Sequence, residues 1–233
     1  MRLVPWRDPL PPGIALHRLD LDLAAEDGDA WPDLTPDECA RASRFARRAD
    51  RVRFAHTRAA VRRLIAQRLT CRPAEVPLRA DAHGKPFVEA GSDNAVPLFN
   101  ISHAGDHALI ALADPARVRC VGVDIEACAR DLMADADALL AMAFTAREQR
   151  EIRSGADLPR AFYRRWVGKE AVLKAAGVGM AEHLQSVGIH PDAHGAIAVD
   201  CAVPAWAGIE AMALSAPPGY AAALAWHTKE QPL

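Results

Sequence analysis

The sequence has no long apolar run and no large imbalance of charge. Its 28 Lys and Arg residues nearly balance 30 Asp and Glu residues, which gives a formal net charge of −2 at pH 7. A near-neutral chain lacks the overall positive charge that favours nucleic acid or an anionic membrane, although a local basic patch remains compatible with it. No stretch reaches the ~18–20 apolar residues that span a bilayer. We therefore expect neither nucleic acid nor a membrane as a partner.

The cysteines are few and unpaired in the sequence. There are five, an odd number, and none lies in a CxxC pair. This pattern predicts neither a disulfide framework nor a structural zinc site, and it favours a reducing compartment. The first nine residues contain prolines and an acid where a signal peptide needs an apolar run. We therefore expect a cytoplasmic protein.

The first part of the chain predicts a strand followed by a long helical region. Apolar and polar residues alternate within Ile14–Leu23, which favours a strand. Thr35 followed by proline and acidic residues is typical of a helix start. Helical spacing of apolar residues continues to Leu69, with a predicted break near Ala49. The other faces are rich in arginine, which forms a solvated face or binds an anion such as phosphate.

The middle and second half predict more strands and two further helices. The runs Leu98–His103, His107–Ala113 and Val118–Glu126 are apolar on both faces and predict a three-stranded meander in the centre of a sheet. Helices are predicted around Asp135–Ile152 and over Pro159–Ala176, and the remaining chain predicts further strands.

The two long helices carry a similar pattern. Phe54-x3-Arg58-Ala59-Ala60-Val61-Arg62 can be aligned with Trp166-x3-Glu170-Ala171-Val172-Leu173-Lys174. Chance similarity between amphipathic helices and a true repeat both explain it. We predict an α+β fold of two similar halves in a pseudo-twofold arrangement. Each half would be a small, mostly antiparallel sheet packed by a long helix, with the active site in the cleft between them. The predicted domains are residues 1–115 and 116–233.

Val121-Gly122-Val123-Asp124-Ile125-Glu126 carries the first candidate site. Side chains alternate along a strand, so Asp124 and Glu126 share one face. Two adjacent carboxylates suit a hard divalent cation such as Mg²⁺ or Mn²⁺. Alternatively, the strand ends at Asp124 and both acids face water.

Trp166, Glu170 and Lys174 form the second candidate site. Their i, i+4, i+8 spacing places them along one stripe of a helix. Glu170 and Lys174 either form an ordinary surface ion pair or supply a third metal carboxylate with a lysine aimed at phosphate. The sequence also leaves the roles of His103 and Lys85 undecided, because each is either a structural residue or an anion ligand.

Four segments follow one another along the chain. They are Gly84-Lys85-Pro86, Phe99-Asn100-Ile101-Ser102-His103, Gly122-Val123-Asp124-Ile125-Glu126 and Trp166-x-x-Lys169-Glu170-Ala171-x-x-Lys174. In this order they resemble the motifs of the 4′-phosphopantetheinyl transferase superfamily, in its large, monomeric surfactin-type class. The resemblance covers roughly residues 35–179. It implies transfer of 4′-phosphopantetheine from coenzyme A to a serine of an apo acyl or peptidyl carrier protein, with release of adenosine 3′,5′-bisphosphate.

The same resemblance assigns a metal site and a base. Asp124, Glu126 and Glu170 would hold Mg²⁺, or Mn²⁺, against the pyrophosphate. Either Glu170 or Glu148 would accept the proton of the serine hydroxyl, directly or through water, and the sequence does not choose between them. Lys174 would contact the pyrophosphate.

It also assigns the residues that bind coenzyme A. His103 would contact a phosphate, and Arg41 and Arg53 would bind the ribose 3′-phosphate. The full predicted set is Arg41, Arg53, Lys85, Ser102, His103, Lys169 and Lys174. Glu38 stands where some relatives have a basic residue, and only one phenylalanine, Phe144, stands where a pair is common.

Two other functions fit the same residues. A Mg²⁺-dependent nucleotide phosphohydrolase would use these acids and lysines with water as the nucleophile. A non-catalytic module would bind coenzyme A or a carrier without turnover.

Overall fold

The computed structural model describes residues 1–25, 28–81, 84–89, 96–128, 136–179 and 182–229. The chain divides into two compact units. The first contains Met1–Phe99 and Asp106–Pro115, and the second contains Asn100–Gly105 and Ala116–Leu233. This division differs from the predicted domains at 100–105, a segment that belongs to the second unit.

The strands of the first unit are antiparallel. Three of its strands pair in the order β1-β2-β6. They are β1 (Arg2–Pro5), β2 (Ile14–Asp20) and β6 (His107–Ala113). A separate hairpin joins β3 (Leu78–Ala80) to β4 (Pro86–Val88). The chain passes from the first unit into the second within strand β5, which covers Leu98–Ala104.

Among its described residues, the first unit has two α-helices, α1 (Pro36–Ser43) and α2 (Arg48–Leu69). Thr35 caps α1 as predicted, because its hydroxyl accepts a hydrogen bond from the Glu38 backbone and the Glu38 carboxylate accepts one from Thr35. The predicted break near Ala49 is displaced: α2 already begins at Arg48, after Arg47 in an extended conformation. Alanines on both helices pack with apolar residues between 30 and 34.

The second unit contains a five-stranded antiparallel sheet. Its strands are β7 (Val118–Ala127), β8 (Val187–Pro191), β9 (Ala196–Cys201), β10 (Glu210–Leu214) and β11 (Tyr220–Thr228), in the order β7-β11-β10-β9-β8. The predicted meander is therefore wrong for its third strand. The partner of β7 is β11, close to the end of the chain, and local apolar patterning cannot identify so distant a partner.

Three α-helices lie in the described part of the second unit: α3 (Ala136–Ala143), α4 (Ala146–Ser154) and α5 (Leu158–Ala176). The helical region predicted around 135–152 contains two helices, because Thr145 caps a new helix. Asp135 lies outside the described residues. Helix α5 packs on β7 and β11, and its apolar residues join the alanines of β11 in the core of the unit.

The α+β class predicted from the sequence is confirmed, since both units combine antiparallel strands with a long helix. Within the ranges described, no helix is both long enough and apolar enough to cross a membrane.

Candidate active site

Three carboxylates of the second unit converge at the contact between β7 and α5. Asp124 and Glu126 are on β7, and Glu170 is on α5. One carboxylate oxygen from each lies within 4.8 Å of the others. Asp124 is completely buried, Glu170 is buried and Glu126 is half-buried. The structure thus brings together the three acids that the sequence proposed as metal ligands.

Lys174 supplies positive charge to this cluster. It lies one helical turn after Glu170, so both side chains leave the same face of α5. Its Nζ atom is 2.5 Å from Asp124 Oδ1 and 3.5 Å from Glu170 Oε2, and it donates a hydrogen bond of 3.1 Å to Ser102 Oγ. One ammonium group therefore lies within ion-pair distance of two of the three carboxylates.

Side chains of β5 hold the backbone of β7. The Asn100 side-chain oxygen accepts a hydrogen bond of 2.9 Å from the Val123 N–H. Ser102 Oγ accepts one of 3.3 Å from the Ile125 N–H and donates one of 2.7 Å to Asp124 Oδ1. These contacts explain why the segment 100–105 belongs to the second unit.

Two acids of the cluster have raised pKa values. Burial, together with the charge of Asp124, raises the pKa of Glu126 to about 7, although Lys174 opposes the shift. Burial and the charge of Asp124 raise the pKa of Glu170 to about 8, again against Lys174. Asp124 Oδ2 is buried and has no hydrogen-bond partner. A buried carboxylate oxygen without a partner is costly unless a further positive group satisfies it.

These residues fit a divalent cation. The donor set is three carboxylates, which is the oxygen-only chemistry that Mg²⁺ and Mn²⁺ prefer. The unpartnered oxygen of Asp124 offers a ligand atom. Burial and then the negative charge of Asp124 raise the pKa values of the two glutamates, and a bound cation would oppose both effects.

Glu148 and Lys169 form a separate, fully buried ion pair of 2.8 Å. Glu148 also completes the cap of α4, because its carboxylate accepts hydrogen bonds from the backbone and hydroxyl of Thr145. Its second oxygen accepts a hydrogen bond of 2.8 Å from the Ile189 N–H. Lys169 donates to the carbonyl oxygens of Leu184 and Val187. These contacts favour a structural role for both, and their catalytic and coenzyme A-binding roles stay predictions.

The remaining predicted residues of the second unit and of the hairpin are placed as follows. His103 follows Ser102 on β5 and is exposed, and its side chain points to the opposite face because side chains alternate. Lys85 precedes β4 and is half-buried, and its backbone N–H donates to the Asp81 carboxylate at 2.9 Å. Both stay predicted anion ligands. Ala82 and His83, in the same turn, lie outside the described residues.

The predicted 3′-phosphate residues belong to the first unit. The Arg41 guanidinium lies 5.0 Å from the centre of the Phe54 ring, and the half-buried Arg53 pairs with Asp50 at 2.7 Å. Glu38, which departs from the pattern of some relatives, accepts hydrogen bonds from the buried Arg62 at 2.7 and 3.1 Å. An acid at this position therefore has a structural partner.

Two supporting residues were not assigned a role from the sequence, Asn100 and Gly122. A Cβ atom at Gly122 would lie 2.0 Å from the Ala171 carbonyl oxygen, so this glycine allows β7 and α5 to approach closely. A glycine inside an apolar strand is a recognisable signal of such an approach. The Asn100 contact has no comparable local signal.

Comparisons with known proteins identify the family of this chain. Residues 120–225 match a family model for the 4′-phosphopantetheinyl transferase superfamily. Residues 29–115 match one for the N-terminal part of 4′-phosphopantetheinyl transferase. The 4′-phosphopantetheinyl transferase HetI of Nostoc is 32% identical over 184 residues, covering 75% of this chain and 76% of that protein.

Other relatives are matched over less of their length. The L-aminoadipate-semialdehyde dehydrogenase-phosphopantetheinyl transferase of Xenopus laevis is 36% identical, covering 65% of this chain and 52% of that protein. The chain thus spans about half the length of this relative. A crystal structure of holo-[acyl-carrier-protein] synthase from Neisseria meningitidis aligns with a TM-score of 0.40 and 21% identity, covering 48% of this chain and 99% of that one. On its match to HetI and to both family models, the chain belongs to the 4′-phosphopantetheinyl transferase superfamily.

Proposed function

We propose that this chain transfers 4′-phosphopantetheine from coenzyme A to a serine hydroxyl of an apo acyl or peptidyl carrier protein, in a Mg²⁺-dependent reaction that releases adenosine 3′,5′-bisphosphate. The observation that carries the proposal is the convergence of Asp124, Glu126 and Glu170 within 4.8 Å, on the strand and helix that hold the superfamily motifs. Membership of the superfamily supports the same reaction.

Asp124, Glu126 and Glu170 would hold the cation. When bound, Mg²⁺ stabilises the charge that develops on phosphate oxygens, which contributes several kcal/mol. Lys174 would donate a hydrogen bond to a pyrophosphate oxygen. Its ammonium group is held by Asp124 and Ser102 before substrate arrives, so little reorganisation is needed when the charge develops.

The reaction needs a group that accepts the serine proton. The serine oxygen forms a bond to the phosphorus that carries pantetheine, and the bond from that phosphorus to the oxygen of the nucleotide breaks. Both carboxylate oxygens of Glu148 already accept hydrogen bonds inside the protein. Glu170 lies in the acidic cluster. We therefore assign proton acceptance, directly or through water, to Glu170.

Isosteric variants test the proposal. Asp124→Asn and Glu170→Gln keep side-chain shape and remove a charge from the cluster. We expect each to reduce carrier labelling by about a hundredfold or more, because several kcal/mol of stabilisation is lost. The assay is mass spectrometry of an apo-carrier panel incubated with coenzyme A and Mg²⁺. Asp137→Asn, an exposed acid paired with Arg153 on the surface, is the matched control.

The same assay separates the transferase from its alternatives. Transfer adds phosphopantetheine to the carrier serine, whereas a phosphohydrolase leaves the carrier unchanged and degrades the nucleotide. A binding module leaves both unchanged. Full labelling by both variants would contradict the assignment of the metal site.

We further propose that the protein acts as a cytoplasmic monomer. All five cysteines are free thiols, in keeping with a reducing compartment. Light scattering of the purified chain gives its mass in solution, and a dimer mass would contradict the monomer.

A further inference from the structure

The last residue of the segment 100–105 lies directly against the side chain of Tyr220. Gly105 has a φ of +52°, which glycine adopts more readily than residues with a side chain. An added Cβ atom at Gly105 would lie 2.2 Å from the Tyr220 hydroxyl oxygen, and 3.3 Å and 3.5 Å from two carbons of its ring. Both the backbone conformation and the tyrosine that packs on it therefore favour glycine at this position.

Tyr220 is itself held in the sheet of the second unit. It is the first residue of β11, where it pairs with Ala127 at the end of β7. Its backbone N–H donates a hydrogen bond of 3.0 Å to the Pro217 carbonyl oxygen. The preceding residue, Gly219, accepts one of 2.7 Å from the Cys128 N–H. The turn after β5 therefore packs on a residue whose own backbone is tied to two neighbouring segments.

His103 lies between two positions of β5 that contact the rest of the second unit. On one side, the Ser102 hydroxyl donates a hydrogen bond of 2.7 Å to Asp124. On the other side, Gly105 packs against Tyr220. The His103 side chain is exposed, so burial does not fix the place of the imidazole ring. Its place within the second unit therefore depends on the contacts of its neighbours.

We propose that Tyr220 is a positioning residue for coenzyme A binding, which holds the end of β5 so that His103 reaches a phosphate of the ligand. The inference rests on the proposed function, because it adopts the predicted contact between His103 and coenzyme A. Tyr220 lies outside the motifs that the sequence displays, and its effect would be exerted through His103. The role of Ser102 as a ligand of coenzyme A stays a prediction.

A double-mutant cycle measures whether Tyr220 acts through His103. Calorimetry in EDTA gives the coenzyme A affinity of His103→Ala, Tyr220→Ala and the double variant. We expect His103→Ala to weaken binding by about tenfold or more, the usual contribution of a hydrogen bond to a charged group. Tyr220→Ala should lose part of that factor. The double variant should bind no more weakly than His103→Ala, because residues that act through one contact are not additive.

Two further comparisons separate this effect from a general loosening of the sheet. Met212→Ala removes a half-buried side chain from β10, the strand beside β11, and should bind coenzyme A normally. Gly105→Ala should weaken binding in the wild-type chain, where the added methyl group would meet the Tyr220 hydroxyl. It should weaken binding less in a Tyr220→Phe background, because the nearest remaining ring carbon would be 3.3 Å away. The strain of alanine at a positive φ is the same in both backgrounds.

Contrary results overturn the proposal. Unchanged coenzyme A affinity in Tyr220→Ala shows that Tyr220 positions nothing, and unchanged affinity in His103→Ala shows that there is no ligand to position. Additive losses in the double variant show that Tyr220 acts independently of His103. A loss in Met212→Ala as large as in Tyr220→Ala shows that a looser sheet is responsible. Equal losses from Gly105→Ala in both backgrounds show that the tyrosine does not restrain the turn.

Circular dichroism checks the folding of each variant, and Tyr220→Leu replaces the alanine variant if that variant is unfolded. Failure of this inference and failure of the proposed function are distinguishable, because coenzyme A binding is measured without a carrier. A wild-type chain that binds coenzyme A but labels no carrier contradicts the proposed function alone. The comparison of affinities then still decides the role of Tyr220.

Discussion

Neighbouring residues of one helix serve different purposes in this protein. Successive residues of an α-helix point about 100° apart. Glu170 therefore reaches the acidic cluster on β7, whereas Lys169 points into the interior and pairs with Glu148. Burial lowers the pKa of the Lys169 ammonium and the charge of Glu148 opposes the shift. A motif that contains both residues thus contributes one carboxylate to the acidic cluster and one ammonium group to a buried ion pair.

Lys169→Met tests this division. The substitution keeps an apolar stem but leaves the Glu148 carboxylate buried without its cation, which typically costs about 3–5 kcal/mol of unfolding free energy. Urea denaturation measures the loss. Adding Glu148→Gln to this variant should recover part of it, because the uncompensated charge is then removed. Wild-type stability combined with weaker coenzyme A binding would instead support the predicted role of Lys169 as a ligand.

The sequence predicts the position of a side chain well where strand or helix periodicity determines it. It predicts the position poorly where packing between distant elements determines it. Strand alternation places Asp124 and Glu126 on one face, and helical spacing places Glu170 with Lys174. The Thr145-x-x-Glu148 pattern is a capping box that the sequence displays, and it explains the position of Glu148 without a catalytic role. The lysine that neutralises Glu148 comes from another helix, which no local pattern identifies.

At the scale of elements, the site depends on close contact between β7 and α5. A Cβ atom at Gly122 would lie 2.0 Å from the carbonyl oxygen of Ala171 and 2.5 Å from the backbone nitrogen of Ala175. Both atoms are backbone atoms of the helix that carries Glu170. The helix could therefore accommodate a side chain at Gly122 only by moving away from the strand.

Gly122→Ala should consequently weaken both the fold and the metal site. Overpacking of this kind typically costs about 1–3 kcal/mol, and separating α5 from β7 also moves Glu170 away from Asp124. Thermal unfolding and Mn²⁺ binding measure the two effects. Gly179→Ala, where an added Cβ meets nothing within 4 Å, is the control. Normal Mn²⁺ affinity in Gly122→Ala would show that the site tolerates a displaced helix.

The sequence predicts a helix or strand best where residues close in the chain determine it, and worst where distant residues do. The start of α1 follows from Thr35 and its neighbours, and that prediction is confirmed. Pairing of β7 with β11 depends on contacts far apart along the chain, so the predicted meander was wrong. A break in a helix depends on which cap forms, and Thr145 interrupts a run that apolar spacing alone would continue.

Across the whole molecule, the two long helices differ in charge at the positions that their sequence alignment pairs. The alignment of their sequences places Arg58 and Arg62 of the first unit opposite Glu170 and Lys174 of the second. Both arginines lie beside Glu38, at 3.5 and 2.7 Å. Throughout the described ranges, the acidic cluster on β7 and α5 is the only such group of potential metal ligands. One unit thus carries the candidate metal site, and the other carries a concentration of arginines.

This division predicts that the first unit recognises the anionic nucleotide. Arg53 is half-buried near the start of α2 and pairs with Asp50, and the family resemblance assigns it to the ribose 3′-phosphate. Arg53→Ala should weaken coenzyme A by about tenfold or more, the usual contribution of a charged bidentate contact. Binding of 3′-dephospho-coenzyme A should change little, because that ligand lacks the group Arg53 would contact.

Calorimetry with both ligands separates recognition of the 3′-phosphate from a general loss of positive charge. Arg79→Ala, at an exposed pair with Glu89 in the same unit, removes one charge elsewhere and should affect the two ligands equally and weakly. If Arg53→Ala weakens both ligands to the same extent, Arg53 does not contact the 3′-phosphate. Arg41, whose guanidinium lies over the Phe54 ring, would then be the remaining predicted ligand for that group.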